Sequence, residues 1–201
     1  MPPKARITKA DIVEAALELV RQNGEQAINA RSIASALNCS TQPVFSNFTS
    51  MEELRAAVKD AANALYQSYL DTDMASGEYP PYKASGRAYI RFAQEERELF
   101  KLLFMCDRSN KKIDEDRETI RPLMELIQEN LGFSEDEAFM FHMEMWIYVH
   151  GIATMIATSY LNWDDEYISR LLSDAYMGMK KHYLEEKRDA GNSNHESAKG
   201  I

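Results

Sequence analysis

The chain has 201 residues, of which 45% are hydrophobic, 27% charged and 10% aromatic, a composition that fits one or two globular units. Its 23 Lys+Arg against 32 Asp+Glu leave a net charge of −9, which excludes a protein that coats nucleic acid by bulk charge; any such binding needs a local patch. Two cysteines, Cys39 and Cys106, are too few for a disulfide framework, and no C-x-x-C or H-E-x-x-H spacing marks a zinc site or a metalloprotease.

The N-terminal Met-Pro-Pro-Lys-Ala-Arg leads into a polar helix start rather than the apolar stretch of a secretory signal, which predicts a reduced, cytoplasmic setting. Thr8 followed three residues later by Asp11 has the form of a capping box, and Ile7 and Ile12 fit a hydrophobic staple. A helix over about 9 to 22 follows, with Ile12, Ala16, Leu19 and Val20 on one face and Asn23-Gly24 as its stop. Asn29 caps a short second helix, Ala30 to Leu37, which buries Ile33, Ala34 and Leu37. Asn38, Cys39 and Ser40 then have the length that joins the two helices of a helix-turn-helix, with Ser40 expected to cap a third helix that tolerates Pro43 and ends near Phe48.

Ser50-Met-Glu-Glu53 is a further capping box and opens a long helix to about Leu70, burying Leu54, Ala57, Val58, Ala61, Leu65 and Tyr69. A loop is expected from Asp71 to Pro81, then helices over about 83–95, 97–106, 115–130, 134–161 and 165–186. Residues 188–201 are polar and without periodicity, and are expected to be disordered. No strand signal and no internal repeat occurs, so the expected fold is all-α. Ala138 to Ala157 is nearly continuous apolar sequence, but Glu144, His142 and His150 interrupt it, which favours a helix buried by protein over a membrane span.

The run Ile33-Ala34-Ser35-Ala36-Leu37-Asn38-Cys39-Ser40, then Val44-Phe45-Ser46-Asn47-Phe48 and Met51-Glu52-Glu53-Leu54, resembles the TetR/AcrR family of transcription regulators over the N-terminal 60 residues. The resemblance implies a helix-turn-helix DNA-binding domain at 1–50 and a helical effector-binding and dimerisation domain at 51–187. It implies a homodimer on a double-stranded DNA operator, with the third helix in the major groove. Carried over position by position, the DNA-binding set is Lys4, Arg6, Lys9, Arg31, Ser40, Thr41, Gln42, Phe45, Ser46 and Asn47. Gln42 is the best base reader, because its amide pairs with both polar edges of adenine. Lys4, Arg6 and Lys9 form a flexible basic arm for phosphates or the minor groove. The family usually has tyrosine where Phe45 stands, lysine where Met51 stands and glycine where Asn38 stands, so Asn38 to Ser50 carries no charged side chain. Residues 1–50 hold only a charge of +1, against −10 for the rest.

Trp146-Ile-Tyr-Val-His150-Gly151 resembles the W-x-x-x-H-G motif of a C-terminal subgroup of these regulators, the WHG type. The last two helices carry apolar faces of the width that a dimer bundle needs, and Gly151 and Gly178 permit close backbone approach. Phe92, Phe100, Phe104, Met105, Met124, Ile127, Met143, Trp146 and His150 are the candidate ligand-binding residues, a Met-rich aromatic wall for a small apolar or amphipathic effector. Ordinary core packing is the competing reading for each of them. For His150 that means a satisfied interior histidine bonded to backbone or to a tyrosine.

His142 and His150 raise a metal reading, but no cysteine or carboxylate is placed to complete a ligand set, so no metal and no other cofactor is expected. No G-x-S-x-G elbow, phosphate loop or dinucleotide turn is present, and no catalytic residue is assigned. The function expected is a ligand-responsive DNA-binding repressor. The alternative is a helical sensor or interaction module that has lost sequence-specific DNA binding, motivated by the uncharged third helix.

Overall fold

The computed structural model describes residues 6–107, 109 and 117–198, with side chains to 189, and is all-helical over them. The elements are α1 (Lys9–Asn23), a 3-10 turn (Glu25–Ala27), α2 (Ala30–Ala36), α3 (Gln42–Asn47), α4 (Met51–Ala75), α5 (Pro81–Glu95), α6 (Arg97–Phe104), α7 (Arg117–Leu131), α8 (Glu135–Ala157) and α9 (Asp165–Ala198).

Local side-chain chemistry sets most of the boundaries. The Thr8 amide donates to the Asp11 carboxylate at 2.7 Å while the Asp11 amide donates to the Thr8 hydroxyl at 3.2 Å, so α1 starts on a reciprocal box. Ser134 and Glu137 do the same for α8. At the end of α2 the Cys39 amide reaches back to the Ala34 carbonyl (2.9 Å) and the Asn38 amide to Ser35 (3.1 Å). Asn38 takes the left-handed φ of 49° that this closure requires, a conformation asparagine accepts at low cost. The sharp turn aims α3 across α2.

Several boundaries differ from expectation. Thr41, not Ser40, precedes α3, and no side chain caps it; Pro43 in the first turn removes one of the amides a cap would satisfy. Ser50 caps α4 as predicted, but the Glu53 carboxylate returns to the Thr49 amide (2.7 Å) and hydroxyl (2.8 Å) instead of to Ser50. α4 runs on to Ala75, where a loop was expected from Asp71, because Asp73 is held by Arg91 of α5 at 2.6 Å. α8 stops at Ala157, short of the expected 161: the Tyr160 amide reaches the Met155 carbonyl (2.9 Å) and Ser159 turns left-handed at φ 58°. α9 continues to Ala198, so 188–198, expected to be disordered, are helical. Pairs four residues apart, Lys181 with Glu185 and His182 with Glu186, carry the helix toward that end, and Lys187 ties it to Glu137 at 2.9 Å. Residues 199–201 lie outside the described residues.

α5 lies at the centre, against α4 on one side and α8 on the other. Tyr82 and Tyr89 of α5 meet His142 and His150 of α8 respectively, so the two helices run parallel. One continuous core joins Ile12, Ala16 and Val20 of α1 to Leu54 and Val58 of α4, Phe92 of α5, Leu99 and Phe100 of α6 and Ile152 of α8. A second, distal cluster gathers Met124, Ile127, Phe133, Phe139, Phe141 and Met145 around α7 and α8. Although α8 is apolar nearly all round, no helix among the described residues is long and apolar enough to cross a membrane.

Candidate functional site

In the three N-terminal helices, Val44 is buried and seats α3, which leaves Gln42, Phe45 and Ser46 exposed on its outer face three and four residues apart. Phe45 is 62% exposed. Ser46 donates its hydroxyl proton to the Gln42 carbonyl at 2.8 Å, and the Asn47 amide donates to the Pro43 carbonyl at 2.8 Å. Both side chains are therefore partly turned back on their own helix, and Gln42 and Phe45 are the outward ones. Ser40 and Thr41 flank this face, exposed and half-buried.

The expected basic arm divides. Lys4 lies outside the described residues. Arg6 is exposed and lines a surface cleft of about 440 Å³ with Ile7, Asp11, Glu14 and Arg21. Lys9 is drawn inward: its ammonium sits 2.6 Å from Glu53 and 4.6 Å above the Phe48 ring. The hydrogen bond from Lys9, with those from Thr49, pulls the Glu53 carboxyl down to about 2. Lys9 is thus a strut between α1 and α4 and not part of a free arm. Arg31, exposed on α2, makes no ion pair among the described residues and is the open cation beside α3.

The candidate ligand wall separates into parts. Phe92 and Phe100 are fully buried; with half-buried Phe104 they meet Tyr66, Tyr69 and Tyr89 at ring separations of 4.8 to 5.3 Å. His150 joins this group, stacked on Phe100 at 6.0 Å and on Trp146 at 4.8 Å. Met124 and Ile127 belong instead to the distal cluster, with Met143 at its edge, and Met105 is exposed at the end of α6. Phe92, Phe100, Phe104, Trp146 and His150 come together, and the other four do not join them. Neither of the surface clefts of about 440 and 460 Å³ is lined by any of these nine residues.

Two tyrosine–histidine rungs order the interior between α5 and α8. The Tyr89 hydroxyl lies 2.8 Å from His150 Nδ1, and the Tyr82 hydroxyl 3.1 Å from His142 Nδ1. Burial pushes the His142 imidazole down to about 4 and lowers His150 as well, so both rings are neutral near pH 7; it raises the Tyr82 phenol. A neutral ring whose Nδ1 accepts the tyrosine proton satisfies both buried groups. The His150 partner fits the satisfied-histidine reading. Tyr82 and Tyr89 escaped sequence reasoning, and the signal was their seven-residue spacing on a buried face, matched by the eight-residue spacing of the histidines. That spacing sets the two imidazoles about 12 Å apart along α8, too far to share one metal ion. Among the described residues no group of three or more His, Cys, Asp or Glu could hold one.

A third polar group lies on the outer side of α5. Lys83 donates to Ser169 (2.7 Å) and Ser173 (2.9 Å) of α9; both serines, with Arg87 and Tyr79, line the cleft of about 460 Å³. Nothing in the sequence patterning singled these residues out.

Residues 82–175 match the family model of the tetracyclin repressor-like C-terminal domain. This tetracyclin repressor-like region takes in both tyrosine–histidine rungs, the distal cluster and the first third of α9, and it supports the TetR family for the chain. Residues 1–81 lie outside the match, and it does not address the WHG subgroup. No curated protein matches the chain.

Proposed function

We propose that the protein is a ligand-responsive transcriptional repressor that binds a palindromic operator as a dimer and is released by a small apolar or amphipathic effector, acting in the cytoplasm. The observation that carries this reading is the joining of two parts. A three-helix head with a tight α2–α3 turn leaves Gln42 and Phe45 outward on α3, and α4 links it to the tetracyclin repressor-like region.

On this reading Gln42 pairs with adenine in the major groove, Phe45 lies against a thymine methyl or sugar, and Arg31 takes a phosphate. The dimer forms through α8 and α9, where Met140, Ile147, Tyr167 and Met177 are exposed and a side chain at Gly151 or Gly178 would meet nothing within 4 Å. Two heads on one operator must sit about one helical turn, ~34 Å, apart, so a small change in their spacing is enough to lower affinity. The effector enters among Phe104, Trp146 and His150 by displacing packed side chains, and α6 passes the change to α1. The opposing reading, a sensor that has left DNA, draws on Asn38 to Ser50 having no charge and on Lys9 being committed to Glu53.

Selection of bound duplexes from a random DNA pool, at near-physiological salt to suppress phosphate-only binding, separates the two. The expected result is an enriched palindrome whose affinity is lost in Gln42→Ala and Phe45→Ala. Equal weak binding to every duplex, unchanged in both variants, overturns the reading.

A further inference from the structure

The outer face of α5 and the first turns of α9 hold an arrangement that core packing does not explain. The Lys83 ammonium reaches between Ser169 and Ser173, 2.7 and 2.9 Å from their hydroxyl oxygens. It lies 4.7 Å from the centre of the Tyr79 ring, and the Arg87 guanidinium lies 4.6 Å from the same ring. Two like charges therefore converge on one aromatic side chain in a half-buried position. Arg87 has a carboxylate, Asp165, at 3.6 Å. Lys83 has none within ion-pair distance among the described residues, and burial together with the Arg87 charge lowers its basicity.

The serines complete the pattern. Ser173 donates its own hydroxyl proton to the Ser169 carbonyl at 3.0 Å, whereas no acceptor for the Ser169 proton occurs among the described residues. Arg87 and the two serine hydroxyls line one cleft of about 460 Å³, and the Lys83 ammonium, bonded to both of those hydroxyls, lies directly behind that wall. Glu78, Asp165 and Glu166 share the lining with Arg87 and Arg170, which limits the cleft to a compact head rather than an extended polyanion.

We propose that this cleft is a binding site for a small molecule with an oxyanion head, a carboxylate or a phosphate, held by the Lys83 ammonium, the Ser169 hydroxyl and the Arg87 guanidinium. The anion supplies the counter-charge that Lys83 lacks and relieves its repulsion with Arg87. The site lies apart from the aromatic group around His150 and does not depend on the regulator reading.

Calorimetric titration of the full chain with inorganic phosphate, and separately with acetate, tests it at constant ionic strength set by sodium chloride. Saturable binding of at least one anion is expected, with phosphate alone or acetate alone identifying the head group. Affinity falls about tenfold or more in Lys83→Met, the loss expected for a charge-assisted hydrogen bond, and by a smaller factor in Ser169→Ala, a change small enough to leave the helix intact. No saturable binding of either anion, or binding unchanged in both variants, overturns the proposal.

Discussion

Lowering the pH isolates the cost of charging His142. The ring is buried, only 7% exposed, and bonded to Tyr82, and its burial holds it at about 4 against an ordinary 6.5. As pH drops below 6.5 the unfolded chain takes up a proton at this residue while the folded chain does not, until pH nears 4. The stability associated with His142 is therefore complete above pH 6.5, is lost progressively between 6.5 and about 4, and is constant below that. The full difference corresponds to about 3 kcal/mol, of which about 2 kcal/mol is already lost at about pH 5. At roughly 2–4 °C per kcal/mol for a chain of this size, that is a fall of about 4–8 °C in Tm. Urea unfolding followed by circular dichroism at about pH 7.5 and about pH 5, for the natural chain and for His142→Gln, measures it. Glutamine accepts the Tyr82 proton but does not titrate, so the variant's stability depends less on pH by about 2 kcal/mol over that range. His150 adds a residual slope of the same sign in both proteins, since burial lowers it too. An identical pH dependence in the two proteins would refute the argument that His142 is buried as the neutral ring.

Replacing Ile147 by Glu places a charge on the exposed face of α8, and sedimentation should show a dimer converting to monomer with no loss of helix; a dimer that persists assigns the interface elsewhere. Arg31→Ala should weaken DNA binding about equally for all sequences and reduce the salt slope by about one, because Arg31 is an open cation. Lys9→Ala should change the salt slope much less, its charge being already matched by Glu53; equal effects of the two variants would mean that the Lys9 strut releases on DNA.

The parts of the fold that could be read from sequence are those governed by neighbours in the chain. The box at Thr8, the cap at Ser50 and the tight turn at Asn38 each depend on residues within five positions, and each forms. The extension of α4 to Ala75 was hidden because it depends on Arg91, eighteen positions from Asp73. The same holds at the candidate sites. The outward face of α3 follows from helical spacing around buried Val44. The removal of Lys9 from the basic arm depends on Glu53, forty-four positions away, and the Lys83 cluster on serines eighty-six and ninety away. The aromatic wall was visible as composition, but its division between two clusters depends on how α7 and α6 pack on opposite parts of α8.

The continuity of the main core bears on how a change in the body would reach the head. Ile12, Ala16 and Val20 of α1 share one packed cluster with Leu99 and Phe100 of α6, and Arg21 of α1 grips Glu96 at the α5–α6 junction through two bonds of 2.8 and 3.0 Å. The core is therefore continuous across residue 50, and α1 packs on α6 as well as on α4. Phe100→Ala tests this attachment. Phe100 is fully buried against Tyr89, Phe104 and His150, so its truncation should cost about 3–5 kcal/mol, or roughly 6–20 °C in Tm. Amide hydrogen exchange under native conditions then shows where the loss is felt. Protection should fall in α1 together with α6, and fall less in α7, which packs in the distal cluster. A cost under about 1 kcal/mol would show that Phe100 borders a void able to collapse or fill, and would return it to the ligand wall. Unchanged protection in α1 would mean that the interface between α1 and α6 is no mechanical link, leaving α4 as the path between body and head.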